Sequence, residues 1–231
     1  MIKEALEVHD TLNPKLWDGD KLKPIVSKAL IAIYQEFLSE VEENKIPLQP
    51  LDVYIVGSNA SFNYTDNSDL DLHIIVNDEL SSCDKNTLSL LYNFFKSYFN
   101  DKYDITVKGI PVEVYIEGVN TTSVSNGIYS LLNDEWIKYP EKIIPPEIDI
   151  TDDLNKYEKQ YKEIMSNKDY EEAQNMVDFL YLLRKNSIAT EGEFGEGNQI
   201  FKEFRNKGCL DNLKELVNDG ISDELTLEGI Q

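Results

Sequence analysis

The chain has 231 residues, of which 41% are hydrophobic, and 43 acidic against 22 basic side chains give a net charge of −21. That is enough apolar material for one moderate domain with an appendage or for two small ones, but it leaves little basic surface for neutralising the phosphates of long nucleic acid, which argues against processive polymerisation. No apolar run approaches the roughly 20 residues of a bilayer span; the first ten residues carry acids where a secretory signal carries an apolar core; and Cys83 and Cys209 lack metal-type spacing, so free thiols in a soluble, cytoplasmic protein are expected.

After a polar start, in which His9 and Trp17 carry no usable signal, Leu22, Ile25, Val26, Leu30, Ile33, Tyr34, Phe37, Leu38 and Val41 recur at helical spacing. With Pro24 near the start and Pro47 beyond the end, this predicts an amphipathic helix packed on a sheet. Val53 to Val56 and Leu70 to Val76 read as strands separated by turn-forming Asn, Ser, Thr and Asp. A second helix is predicted from about Asp84 to Phe99, with Leu88, Leu91, Tyr92, Phe95 and Phe99 as its apolar stripe. Tyr103 to Glu117 reads as two strands joined at Lys108-Gly109. Residues 121 to 139 read as partly helical, and three prolines then mark a domain junction. Beyond it, Asp152 to Met165 and Asp169 to Ala189 read as helices, followed by a glycine-rich loop and a shorter helical pair.

Chemistry concentrates between the first two strands. Side chains alternate along a strand, so Asp69, Asp71 and His73 share one face while Leu70, Leu72 and Ile74 take the other. Two close carboxylates repel unless a cation compensates them, and Mg²⁺ is commonly held by one or two carboxylates together with substrate phosphates. Gly57 permits close backbone approach to a phosphate, and Ser58 adds a hydroxyl and an N–H. In the later hairpin, Glu113, Tyr115 and Glu117 share a face, and Glu113, between two valines, is the preferred third carboxylate, ahead of Glu117 near solvent and of Asp104. The Asp69-Leu-Asp71-Leu-His73 run lacks the ligand alternation and glycine of an EF-hand. His73 reads either as a contact to metal, phosphate or acceptor or as a hydrogen-bonded structural histidine, and Ser61, Asn63, Tyr64 and Thr65 read either as contacts to nucleotide or acceptor or as turn residues.

The order apolar strand, Gly57-Ser58, loop, Asp69-Leu70-Asp71 strand resembles the DNA polymerase β-like nucleotidyltransferase superfamily. The resemblance implies an α+β fold with a small mixed β-sheet core flanked by helices over residues 1–145, here followed by an all-helical C-terminal domain over 146–231. It implies transfer of a nucleoside monophosphate from a nucleoside triphosphate, ATP foremost, to an acceptor hydroxyl, with release of pyrophosphate. The implied cofactor is Mg²⁺ or Mn²⁺, as two ions held by Asp69, Asp71 and Glu113, with Gly57 and Ser58 on the triphosphate. Short members of a type predicted in bacteriophage genomes end in a pattern similar to Gly192-Glu193-Phe194, Asn198, Phe201-Lys202, Arg205. Arg184, Lys185, Lys202, Arg205 and Lys207 cluster as cations flanking the glycine-rich loop, and from them Arg184, Lys185 and Lys202 are nominated as nucleotide-binding residues, beside the alternative that they are ordinary solvated helix charges.

The acceptor expected from the charge is a small molecule or a protein, with no extended nucleic acid and no membrane as partner. A local basic patch would still admit an RNA end or a tRNA, and a nucleotide-binding regulatory protein without catalysis is the reading from a different class.

Overall fold

The computed structural model describes residues 8–77, 84–120, 125–146 and 148–226. The chain divides between Ile144 and Pro145 into two compact units. Cys83 and part of the 121–139 segment lie outside the described residues; Cys209 is a free thiol. No helix among the described residues is long and apolar enough to cross a membrane.

The first unit opens with a two-stranded ribbon, β1 (Trp17–Asp18) and β2 (Lys21–Leu22), and continues into α1 (Pro24–Glu43). Pro24 occupies the first turn of α1, where its missing N–H costs nothing. The helix buries Val26, Leu30, Ile33, Phe37 and Val41 of the face its periodicity predicts, but Ile25 of that stripe is 60% exposed. Next come β3 (Pro50–Val56), a single 3₁₀ turn at Ser58–Ala60, β4 (Leu70–Val76), α2 (Lys85–Lys102), β5 (Thr106–Val107) and β6 (Ile110–Gly118).

Asp84 caps α2, its carboxylate accepting from the Asn86 and Thr87 N–H groups, and the Thr87 hydroxyl and N–H hold its pKa below the ordinary value. Phe37 of α1 meets Phe95 and Phe99 of α2 edge-on, with ring centroids 5.3 and 5.4 Å apart. These helices cover the sheet face formed by Val53, Ile55, Leu70, Leu72, Ile74, Val112 and Val114, all buried in one core cluster. Truncating a ring such as Phe37 to alanine in a core of this kind costs about 3–5 kcal/mol.

The sheet is mixed, in the order β5-β6-β4-β3-β7-β8. β4 runs antiparallel to β3 and parallel to β6, with α2 in the β4-to-β6 connection. β5 spans only two residues, and the Asn100 side chain donates to the Val114 carbonyl and accepts from its N–H, each at 3.0 Å, satisfying β6 backbone groups beyond the reach of β5. A second clamp between the helices is polar. The buried Glu40 carboxylate of α1 accepts from Lys102 at 2.5 Å, Tyr103 at 2.7 Å and Tyr98 at 3.2 Å.

The expectation of partial helix over 121–139 is corrected. Its described part forms β7 (Ile128–Ser130) and β8 (Glu135–Lys138), an antiparallel pair added to the free edge of β3 through Tyr54↔Ser130 and Ile55↔Tyr129. Pairing on an existing sheet outweighs the weak local preference of so short a segment. The buried Asp52 carboxylate fastens the addition, accepting from Ser130 Oγ at 2.7 Å and Asn133 Nδ2 at 2.9 Å.

The second unit contains α3 (Thr151–Asn167), α4 (Tyr170–Glu191), α5 (Glu196–Asn206) and α6 (Cys209–Leu225). Its core gathers Ile150, Leu154, Leu180, Phe201, Phe204 and Leu213. The whole is an α+β protein with a mixed sheet in the first unit and a helical C-terminal region.

Candidate active site

The sheet face opposite α1 and α2 carries the polar residues of the central strands. Strand alternation leaves Tyr54, Asp71, His73, Glu113, Tyr115 and Glu117 half-buried there, while the intervening Ile55, Leu72 and Val114 are fully buried. Register then sorts the carboxylates. Asp71 stands directly beside Glu113 in the parallel β4–β6 ladder, whereas Glu117 stands beside Ile75. Four residues of strand separate the two glutamates, about 13 Å at roughly 3.3 Å per residue. The Glu117 side chain is 24% exposed, and its Oε1 lies 3.1 Å from a buried His73 Nδ1, although the two are not aligned as a hydrogen bond. Asp104 is exposed and precedes β5.

Glu113 is oriented by its own strand. The Tyr115 hydroxyl donates to Glu113 Oε2 at 2.5 Å, the Tyr115 ring lies against His73 with centroids 4.7 Å apart, and Lys96 of α2 holds its ammonium 3.6 Å from the centre of the Tyr115 ring. Lys96 thus stands over the ring whose hydroxyl engages Glu113, a contact that nothing in its local sequence marks.

At the other end of the pair lies the glycine turn. Gly57 follows Val56, the antiparallel partner of Asp71, and its backbone sits at φ +73°, ψ −158°, a region essentially reserved for glycine. A Cβ on Gly57 would lie 2.0 Å from Asp71 Oδ2, so the Asp71 carboxylate rests directly on the glycine backbone. The Gly57 N–H donates to Ser125 Oγ at 3.0 Å, and Ser125 Oγ donates in turn to the Gly127 carbonyl at 2.9 Å. Gly127 fits because a Cβ there would meet the Ala60 carbonyl oxygen at 1.8 Å. Within the turn, the Ala60 and Ser61 N–H groups bond back to Gly57 and Ser58. These bonds leave the Ser58 and Asn59 N–H groups as its leading donors.

The loop from Ser61 to Ser68 is held largely by its own polar groups. Ser61 Oγ donates to the Ser58 carbonyl and accepts from the Asn63 N–H; Thr65 Oγ1 accepts from the Asn67 N–H; and the Ser68 hydroxyl accepts from the Thr65 N–H. Asn63 donates to the Ile143 carbonyl at 3.3 Å. Two residues without a sequence signal prove structural here: the His9 ring stacks on Tyr64 at 3.9 Å, and the buried Trp17 indole donates to the Asn59 carbonyl at 2.8 Å.

Among the described residues, no group of three or more His, Cys, Asp or Glu side chains is gathered closely enough to hold a metal ion by itself. The donor chemistry nevertheless fits Mg²⁺ or Mn²⁺. Asp71 and Glu113 offer hard carboxylate oxygens side by side, and Mg²⁺ usually completes its shell with waters and substrate phosphates instead of an all-protein cage.

The remaining nominated residues belong to the helical unit. Arg184 stacks its guanidinium 4.7 Å from the centre of the Phe201 ring; Lys202 Nζ lies 3.3 Å from Glu193 Oε1; and Lys185 is exposed. The glycine-rich loop before α5 is laced to that helix. Asn198 and Gln199 donate to the Glu193 and Phe194 carbonyls, each at 2.6 Å, and Glu191 accepts from Ser187 Oγ and the Glu196 N–H.

No family model matches the chain, and no curated protein matches it either. Among solved structures, it is similar to the CdnE cyclic dinucleotide synthase of Elizabethkingia meningoseptica, solved with GTP and Apcpp, at 14% identity and a TM-score of 0.27 over 84% of this chain and 78% of that one. It is also similar to the spectinomycin adenyltransferase AAD(9) of Enterococcus faecialis, solved with ATP and spectinomycin, at 13% identity and a TM-score of 0.26 over 81% of this chain and 96% of that one.

Proposed function

We propose that this chain is a metal-dependent nucleotidyltransferase that moves a nucleoside monophosphate from a nucleoside triphosphate, ATP foremost, to an acceptor hydroxyl on a small molecule or a protein. The observation that carries the reading is the placement of Asp71 directly beside Glu113, with its carboxylate resting on the backbone of Gly57.

Asp71 and Glu113, with Asp69 at the entry to β4 and substrate phosphates completing the shell, would hold Mg²⁺ or Mn²⁺, which when bound would supply charge neutralisation on the phosphates and a lowered pKa for the acceptor hydroxyl. Of the expected Gly57 and Ser58 donors, the Gly57 N–H is given to Ser125 Oγ, so the Ser58 N–H, joined by that of Asn59, holds phosphate oxygens at the turn, a use of leading donors open to any short backbone nest. Glu113 Oε2 is engaged by Tyr115, so Oε1 is the oxygen that takes the acceptor proton. As the acceptor oxygen bonds to the α-phosphorus, the bond from that phosphorus to the bridging oxygen breaks, and pyrophosphate leaves with the electron pair. Lys96, above Tyr115, offsets negative charge on this face. The net charge of −21 favours a small or protein acceptor over extended nucleic acid.

The test is incubation of the purified chain, beside Asp71→Asn, with each α-labelled nucleoside triphosphate, Mg²⁺ or Mn²⁺ and a cell lysate, followed by fractionation of label into RNA, protein and small molecules. Label that depends on Asp71 and appears in protein or small molecules supports the proposal. Label confined to RNA overturns the acceptor class, and nucleotide binding without transfer overturns the enzyme reading in favour of a regulatory protein.

A further inference from the structure

Asn59 lies at the centre of the glycine turn and has no exposed surface. Its side-chain amide is engaged on both sides. Nδ2 donates to the Asp69 carbonyl at 2.8 Å and to the Ser68 carbonyl at 3.3 Å, while Oδ1 accepts from Asn13 Nδ2 at 2.8 Å. A primary amide has two N–H donors, and here both go to consecutive carbonyls of the segment entering β4. Asn13 is itself fixed. Its Oδ1 accepts from the Lys15 N–H at 3.0 Å, and its carbonyl accepts from the Leu16 and Trp17 N–H groups. One buried amide therefore joins the N-terminal segment, the glycine turn and the start of β4.

The position of this bond gives it consequence. The β4 ladders begin with Leu70↔Val112 and Val56↔Asp71, so Asp69 lies just outside the register of the sheet. Strand pairing orients Asp71 but does not hold the Asp69 backbone, whereas the Asn59 amide does. We infer that Asn59 is a positioning residue that sets the spacing between the phosphate-facing turn and the Asp69–Asp71 pair, with Asn13 orienting its amide. The inference rests on the nucleotidyl-transfer reading for the identity of what is positioned. Groups that orient metal-binding carboxylates from behind typically change affinity by about 10–100-fold when removed.

The test compares full-length Asn59→Ala and Asn13→Ala with Asn133→Ala. The last removes a comparable amide, one that donates to Asp52 and Ser130 at the far end of β3. Two readouts apply: Mn²⁺ titration followed by electron paramagnetic resonance in the presence of a non-hydrolysable ATP analogue, and amide hydrogen exchange across residues 57–61 and 68–71. Asn59→Ala is expected to weaken Mn²⁺ binding by about tenfold or more and to raise exchange in both segments together. Asn13→Ala moves both readouts in the same direction by less, and Asn133→Ala leaves both at parental values even as it melts at a lower temperature.

A folded Asn59→Ala with parental Mn²⁺ affinity overturns the inference, as does exchange that rises in only one of the two segments. If Asn59→Ala fails to fold, Asn13→Ala decides by the same criteria. Parental Mn²⁺ binding by Asp71→Asn sinks the nucleotidyl-transfer reading instead, and exchange alone then decides whether Asn59 couples the two segments.

Discussion

Replacing Gly57 with alanine should damage the site in a way that separates strain from chemistry. At φ +73° and ψ −158°, the residue occupies a region whose cost for a non-glycine side chain is of order 1–3 kcal/mol. Taking about 2 kcal/mol, and roughly 2–4 °C per kcal/mol for a chain of this size, the melting temperature should fall by about 4–8 °C. The new Cβ also arrives 2.0 Å from Asp71 Oδ2. A carboxylate at the end of a side chain can swing away at little cost, so this clash adds little to the stability loss. Swinging away nevertheless moves Asp71 off its place beside Glu113, and label transfer should fall toward the level of Asp71→Asn at temperatures where the variant is fully folded. Calorimetry and the labelled-nucleotide assay measure the two effects separately. A Gly57→Ala protein with parental melting temperature and parental transfer would refute both the strain argument and the dependence of the site on this contact.

Asp69→Asn and Asp71→Asn should each lower transfer by at least about 100-fold, with far-UV circular dichroism unchanged. Glu113→Gln should cripple transfer while Glu117→Gln, four residues further along the strand, leaves steady-state rates near parental; the reverse ranking would move the third carboxylate to Glu117. Gly127→Ala should cost about 1–3 kcal/mol in urea unfolding, because its Cβ meets the Ala60 carbonyl and backbone must yield. Stability should also fall at both ends of the pH scale through the Glu40 clamp. Lys102 and Tyr103 hold the Glu40 carboxyl below its ordinary value of 4.5, so its contribution is present above that pH and lost as pH falls through the lowered value. Lys102 is raised by its bond to Glu40, and Tyr103 is pushed up to about 12 by Glu40 and Glu36, so their contributions are full below their ordinary values of 10.5 and 10.0 and are lost as pH rises beyond. Glu40→Gln should flatten both limbs in a pH series of thermal melts, and unchanged limbs would remove the clamp from the account.

What the sequence determined by itself was what local periodicity can carry. A period of two puts Asp71 and His73 on one face of β4 and, separately, Glu113, Tyr115 and Glu117 on one face of β6, and a period near 3.6 marks the buried side of α1. Local chemistry also announced the turn at Gly57, since a glycine closing an apolar strand is punctuation readable in isolation. Tertiary structure decided everything that depends on which strands meet and in what register. Alternation cannot tell Glu113 from Glu117, because both satisfy the same parity; only the parallel β4–β6 register sets Glu113 beside Asp71 and Glu117 near His73. The segment carrying Ile128–Ser130 and Glu135–Lys138 became strand because β3 offered it an edge. Asn59 and Trp17 were silent in the sequence for the same reason. Their hydrogen bonds reach across 9 to 46 residues, and a buried polar group is intelligible only once its distant partners are in place.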